Sequence, residues 1–314
     1  ILLGVCVGLL LLKMIKEEEM EIPLKVGAFR CEESSNFMKD TIGSGLITGI
    51  FNPQDFNRLI SREGKSLSQV FDERGYSKTP KLIQNIKEFI ELHIEQGRVL
   101  ESEGLNVGIV TAIAGNQRMK CKVVGMAEHS GATPMDIRLD ALCGVAEIIL
   151  EVEKIGKKYA CQNGVATVGW VSNHPNVMNV IPGEVEFSVD LRCTHPQIIK
   201  AMHMETERAI EEICKRRGLK YSLELLTPTE PTPLDEDMVD KLSKIAESLG
   251  IKYKRLPSGA GHDAMAFAKR VKAGMVFIPC KNGISHNPKE YAKLEDAVLG
   301  AKIIYEYLKG EMIC

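Results

Sequence analysis

A chain of 314 residues, 44% hydrophobic and 26% charged, is long enough to bury a core and to form about two domains. Forty basic residues against 42 acidic ones give a formal charge of -2, so there is no electrostatic case for nucleic acid as a partner, and a small substrate is expected. Nine cysteines without a Cys-x-x-Cys spacing suit a reducing compartment better than a disulfide framework, and the expected location is the cytoplasm.

The chain opens on Ile1-Leu2-Leu3-Gly4-Val5-Cys6-Val7-Gly8-Leu9-Leu10-Leu11-Leu12, which is apolar but shorter than the ~20 residues a membrane span needs. It has neither a basic leader nor a small-residue cleavage site, so a buried helix and no membrane association are expected. The absent initiator Met suggests that a segment lies upstream. Pro23 then opens an apolar segment, 24–29, that predicts a strand, with Glu32-Glu33 just past its end. The carboxyl ends of strands in open α/β sheets are where ligands bind. Residues 67–74 and 80–89 read as helical or mixed and lead into a strand through His93.

From about Gln117 the pattern becomes strand 119–126, helix 140–157, strand 164–171, strand 184–191, helix 196–217 and strand 221–226. This βαββαβ order suits a small domain inserted into a larger one. Beyond Pro228, Pro231 and Pro233 come helix 236–249, a strand near Tyr253, helix 263–269, strand 275–278 and helix 294–308. The expected division is residues 1–116 and 231–314 for the larger domain and 117–230 for the insertion.

An extended reading of Glu91-Leu92-His93-Ile94-Glu95-Gln96-Gly97 places Glu91, His93 and Glu95 on one face, with Leu92 and Ile94 on the other. Acids and an imidazole are costly to bury unless a cation or proton chemistry compensates them. With Glu32-Glu33 and Ser285-His286-Asn287-Pro288 they read together as metal ligands. Alone, an acidic pair is usually a solvated turn and a strand histidine usually a satisfied core residue. The strand-end position and the charged neighbours weigh against those readings here.

Gly259-Ala260-Gly261-His262-Asp263 leads into a helix with Asp263 as a natural N-cap, and a plain loop stands even with an active-site turn. Gly43-Ser44-Gly45 is too short to imply phosphate binding. In the insertion, Glu128-His129-Ser130-Gly131-Ala132-Thr133-Pro134-Met135 is a polar turn, and Asn179-Val180-Ile181-Pro182-Gly183 precedes the strand that ends at Arg192. Arg192 either pairs with Asp190 or clamps a substrate carboxylate in its fork. His174, His195 and His203 read as surface residues.

These runs, in this order and across nearly the whole chain, resemble the hydantoinase/carbamoylase branch of the aminoacylase and carboxypeptidase-like metallopeptidase superfamily. The resemblance implies a discontinuous α/β catalytic domain, a mixed sheet flanked by helices, carrying an inserted βαββαβ ferredoxin-like domain that acts as lid and dimer interface. It implies two divalent ions, zinc, manganese or cobalt, bridged by water, with His93 on one and Glu33 and His286 on the other. Glu32 would be the base that activates the water. Arg192 and Asn179 would take the substrate carboxylate, and Gln96, Gly259 and His262 would also bind substrate. His129, reaching in from the other subunit of a homodimer, would stabilise the oxyanion.

Members of that branch hydrolyse C–N bonds of ureido compounds and need no organic cofactor. The expected reaction is cleavage of the carbamoyl C–N bond of N-carbamoyl-L-amino acids, because residues 107–111 and 128–135 look closer to that subgroup. Hydrolysis of allantoate or ureidoglycine is the alternative. The family's His-x-Asp histidine and bridging Asp would fall before Ile1, and Ser34-Ser35-Asn36-Phe37 stands where Gly-Ser-Arg-Phe is common. Poor metal binding by these 314 residues, or an inactive dimerising remnant, is therefore a further expectation.

Overall fold

The computed structural model describes residues 2–34, 36–79, 82–226 and 228–310. The chain divides into two compact units, Ile1–Ile113 with Pro233–Cys314, and Ala114–Thr232.

In the first unit, α1 (Leu2–Glu17) buries Val7, Leu11 and Ile15, three positions spaced by four that share one helix face. Three short helices follow: α2 (Ile42–Thr48), α3 (Asp55–Arg58) and α4 (Leu67–Arg74). Phe37, Ile42, Phe51, Phe56 and Leu67 form a small core among them. A capping box at Ser66 and Gln69 starts α4, and Gly75, in the left-handed region, ends it. The chain then runs through β1 (Glu88–Ile94), α5 (Val99–Glu103) and β2 (Val107–Ile113).

The second unit has β3 (Gly115–Val124), α6 (Ala141–Tyr159), β4 (Val165–His174), β5 (Glu184–Cys193), α7 (Pro196–Arg217) and β6 (Lys220–Leu225), a βαββαβ order. Its antiparallel sheet runs β4-β5-β3-β6. Strand β5 alternates between buried and half-buried residues along its whole length, and Val185, Phe187, Val189 and Leu191 pack under α6 and α7.

After the two-residue β7 (Thr232–Pro233) come α8 (Glu236–Ser248), β8 (Tyr253–Ser258), α9 (Ala264–Phe267), β9 (Lys272–Ile278) and α10 (Leu294–Gly310). In the first unit β1 lies parallel to β9, β9 is antiparallel to β2, and β2 is parallel to β8. The sheet is thus mixed and flanked by helices. Strand β9 is buried from Ala273 onward, as a strand covered on both faces must be.

Several elements differ from the sequence expectation. Residues 24–29 form no strand: the segment has no regular secondary structure, and among the described residues it pairs with no strand. Residues 82–87 are irregular, and 80 and 81, like Ile1, lie outside the described residues. Asp263 occupies the N-cap position of α9 without capping it, and that helix is a single turn, shorter than 263–269. Among the described residues no helix is long and apolar enough to cross a membrane.

Candidate active site

Glu91 and His93 project from the same side of β1, and the turn before α9 brings His262 to meet them. One nitrogen or oxygen of each lies within 4.8 Å of the others. The Glu91 Oε2 accepts the Ala264 N–H at 2.9 Å, which ties the start of α9 to the strand. His93 Nδ1 lies 2.9 Å from the Ile94 carbonyl, leaving its Nε2 as the free nitrogen. His262 is fully buried, with Nε2 2.8 Å from Ser258 Oγ and Nδ1 without a hydrogen-bond partner, 3.9 Å from Glu91 Oε1. His262, expected to touch substrate, has its ring edge-on against His93 at 4.7 Å.

Glu95 leaves this group. Gln96 adopts a positive φ of 57°, which turns the chain at the end of β1. The Glu95 carboxylate then accepts the N–H groups of Val99 and Leu100 at 2.8 and 2.9 Å, at the start of α5. Alternation placed Glu91 and His93 together but fails for Glu95, because the strand ends at Ile94.

The second constellation joins the two ends of the chain. His286 Nε2 stands 2.8 Å from Glu33 Oε1, and both side chains are exposed. Gln96 donates from Nε2 to Ser285 Oγ at 2.9 Å, and that nitrogen lies 3.3 Å from His286 Nε2. His286 has a φ of 55°. Crowding of Cβ against the following carbonyl oxygen makes that region cost roughly 1–2 kcal/mol for an L-residue other than glycine. Local strain of this kind gathers where a side chain must be aimed.

Between these groups lies a set of carboxyls. Glu32 and Asp263 are both buried. Burial pushes the Glu32 carboxyl up to about 8, with Glu33 and Asp263 adding to the rise. Burial also raises Glu91 to about 8 and Asp263 to about 6. It lowers His93 to about 4 and takes His262 well below its ordinary range. The site is therefore a cluster of acids whose ionisation is held back, beside imidazoles held neutral. Such an arrangement is suited to holding a cation. Sequence reading passed over Asp263 and Ser258 as site members; the carboxyl beside the histidine in the Gly-rich turn was the available signal.

Gly259, at the tip of that turn, is exposed, and no atom lies within 4 Å of where its Cβ would be. The second unit carries the remaining candidates. His129 is exposed, its Nδ1 accepting the Gly131 N–H at 3.1 Å, and it bridges Val180, next to the exposed Asn179. Arg192 on β5 pairs with Asp190 through Nε at 3.1 Å and Nη2 at 2.9 Å, and Arg118 shares that carboxylate. His174 and His195 are exposed, while His203 is half-buried and lies 3.4 Å from Glu207.

The chain is similar to proteins already known. The chain is 34% identical over 313 residues to an N-carbamoyl-L-amino-acid amidohydrolase of Pseudomonas sp. (strain NS671), covering 97% of this chain and 75% of that one. It is 34% identical over 310 residues to an allantoate amidohydrolase of Bacillus subtilis (strain 168), with the same coverage. The crystal structure of an amidase of the hydantoinase/carbamoylase family from Burkholderia multivorans superposes with a TM-score of 0.91 at 32% identity, covering 98% of this chain and 75% of that one. Residues 2–310 match the model of peptidase family M20/M25/M40, and the chain belongs to that family.

Proposed function

We propose that this chain is a metal-dependent amidohydrolase that cleaves the carbamoyl C–N bond of N-carbamoyl-L-amino acids. The observation that carries the reading is the 2.8 Å approach of His286 to Glu33 beside a buried neighbour, Glu32. The donor chemistry fits divalent cations: exposed Glu33 and His286 offer a carboxylate and an imidazole to one, and His93 offers its free Nε2 to another. Bound there, the ions would lower the pKa of water and polarise the substrate carbonyl.

The chain's own groups supply the proton traffic. Glu32 takes a proton from the attacking water as a C–O bond forms at the carbamoyl carbon. It then returns that proton to the departing nitrogen as the C–N bond breaks. The free amino acid and carbamate result, and the carbamate breaks down to carbon dioxide and ammonia, with no redox change. An elevated affinity of Glu32 for protons suits both halves of this exchange. Gln96, fixed by Ser285, presents its amide to the substrate. Arg192, its fork oriented by Asp190, receives the substrate carboxylate with Asn179, and His129 acts across a homodimer formed by the second unit.

Ammonia release from a panel of N-carbamoyl-L-amino acids, allantoate and ureidoglycine, with divalent cation supplied, tests the reading. Turnover of N-carbamoyl-L-amino acids with the best kcat/KM supports it. Turnover only of allantoate or ureidoglycine would replace the substrate, and hydrolysis of none of them would remove the reading.

A further inference from the structure

In the second unit the chain leaves β3 at Val124 and reaches α6 through a loop, 126–139, that carries His129. The loop closes at its base, where the Met126 N–H donates to the Leu139 carbonyl at 2.9 Å. Its outgoing limb is tied to residues 179–181: the Ser130 N–H donates to the Asn179 carbonyl at 3.0 Å, and the Ile181 N–H to that of Glu128 at 2.8 Å. His129 therefore stands on a fixed backbone.

The tip of the loop is held by a side chain. Arg138, at the base, donates from Nε and Nη2 to the Thr133 carbonyl at 3.1 and 2.9 Å, and its Nη2 also donates to the Ser130 carbonyl. It is half-buried, although Met135, Asp136 and Ile137 before it are exposed. A cationic donor bonds a carbonyl more strongly than a neutral one, and a planar fork fixes direction as well as distance. The guanidinium thus joins the two carbonyls that flank Gly131 and Ala132.

The tip in turn determines what the imidazole can do. The Gly131 N–H donates to His129 Nδ1 at 3.1 Å, and a backbone amide can only donate. Nδ1 is then the unprotonated nitrogen, and the neutral ring carries its proton on Nε2. Such a ring offers an N–H to whatever meets its outer edge. It suits a developing oxyanion and does not suit a metal ion or a proton to be removed. The Ala132 and Thr133 N–H groups bond the His129 carbonyl at 3.2 and 3.1 Å, so the position of the Gly131 amide belongs to the same turn that Arg138 grips.

We propose that Arg138 is a positioning residue for His129: by clasping the Ser130 and Thr133 carbonyls it keeps the Gly131 N–H on Nδ1 and so presents Nε2–H as a neutral donor. Its effect on turnover rests on the reading of His129 as a group that acts on substrate.

The test compares the parent chain with Arg138→Ala and with Arg138→Lys, which keeps the charge without the fork. Nuclear magnetic resonance of isotope-labelled histidine reports the protonated nitrogen and the ring order of His129, whose signals are assigned by their loss in His129→Ala. At about pH 8.5, above the ordinary imidazole value of about 6.5, the parent ring is expected to be ordered and protonated on Nε2. In Arg138→Ala its order parameter is expected to fall below about 0.6, while half-buried His203 on α7 stays as in the parent. Arg138→Lys is expected to lie between, and it carries the comparison if the alanine variant loosens His203 as well. In ammonia-release kinetics Arg138→Ala is expected to lower kcat about tenfold or more with KM little changed. The same change should cost less than about twofold once His129 is Ala, because the two act as a unit.

A parent ring protonated on Nδ1 would overturn the proposal, as would a His129 ring that stays equally ordered in both Arg138 variants. Equal losses of kcat with and without His129 would overturn it too, since Arg138 would then act through the fold at large. Ring order needs no turnover, so a chain that hydrolyses no ureido acid would remove the proposed reaction and still leave this assignment decided by the spectra.

Discussion

The imidazole of His286 and the carboxylate of Glu33 meet at 2.8 Å, although one lies near the start of the chain and the other near its end. As an exposed ion pair this contact is worth little, and its value lies in presenting two donors to one cation. His286→Ala is expected to weaken binding of a divalent cation by about tenfold or more while leaving the unfolding midpoint nearly unchanged. Calorimetric titration with zinc or manganese, paired with urea unfolding, checks both halves.

Glu32→Gln keeps the shape of the side chain but removes its capacity to carry a proton. Hydrolysis of the preferred ureido substrate is expected to fall by about 10²–10⁴-fold. Cation stoichiometry should stay as in the parent, which separates a base from a ligand.

Stability without cations should depend on pH in a definite direction. Glu32 and Glu91 titrate near 8 in the folded protein against an ordinary 4.5, so between those values the folded chain holds protons that the unfolded chain has released. Their contribution to stability therefore falls as pH rises from 4.5 to 8. His93, at about 4 against 6.5, does the opposite, adding stability between pH 4 and 6.5. Above pH 6.5 only the carboxyl effect remains. The urea midpoint of the cation-free protein is expected to drop between pH 6.5 and 8, and Glu91→Gln should flatten that drop.

Much of this was legible in the letters, for reasons that differ by residue. Helix 196–217 announces itself with Pro196 at its first turn and Gly218 after its last, and α7 has those limits. The α/β alternation was readable from strand and helix patterns, whereas the mixed sheet with flanking helices was implied by the resemblance to the hydantoinase/carbamoylase branch. Residues 24–29 misled because a strand needs a neighbour as well as a composition, and among the described residues no strand pairs with this segment. Helices α2, α3 and α5 have at most seven residues, too few turns for periodicity to register. In the site, Glu91 and His93 were readable from alternation, whereas the inward turn of His262 depends on packing that no local pattern encodes.

Phe267 holds the turn that carries His262 and Asp263 by stacking on Phe89 with an interplanar angle of 2°. Phe267→Ala is expected to cost about 3–5 kcal/mol of stability. Chemical unfolding measures the loss.

Arg192→Lys retains the charge but loses the planar fork. If the fork receives the substrate carboxylate, KM is expected to rise about tenfold with kcat little changed. Steady-state kinetics on the parent and the variant give that split.

The fate of Glu95 changes the charge tally around His93. Both its oxygens are occupied by the first amides of α5, so this acid serves as an anchor for a neighbouring helix. A dication near His93 therefore meets one formal negative charge fewer than the run of letters advertises, and replacing Glu95 by its amide would fray the start of α5 rather than release a metal.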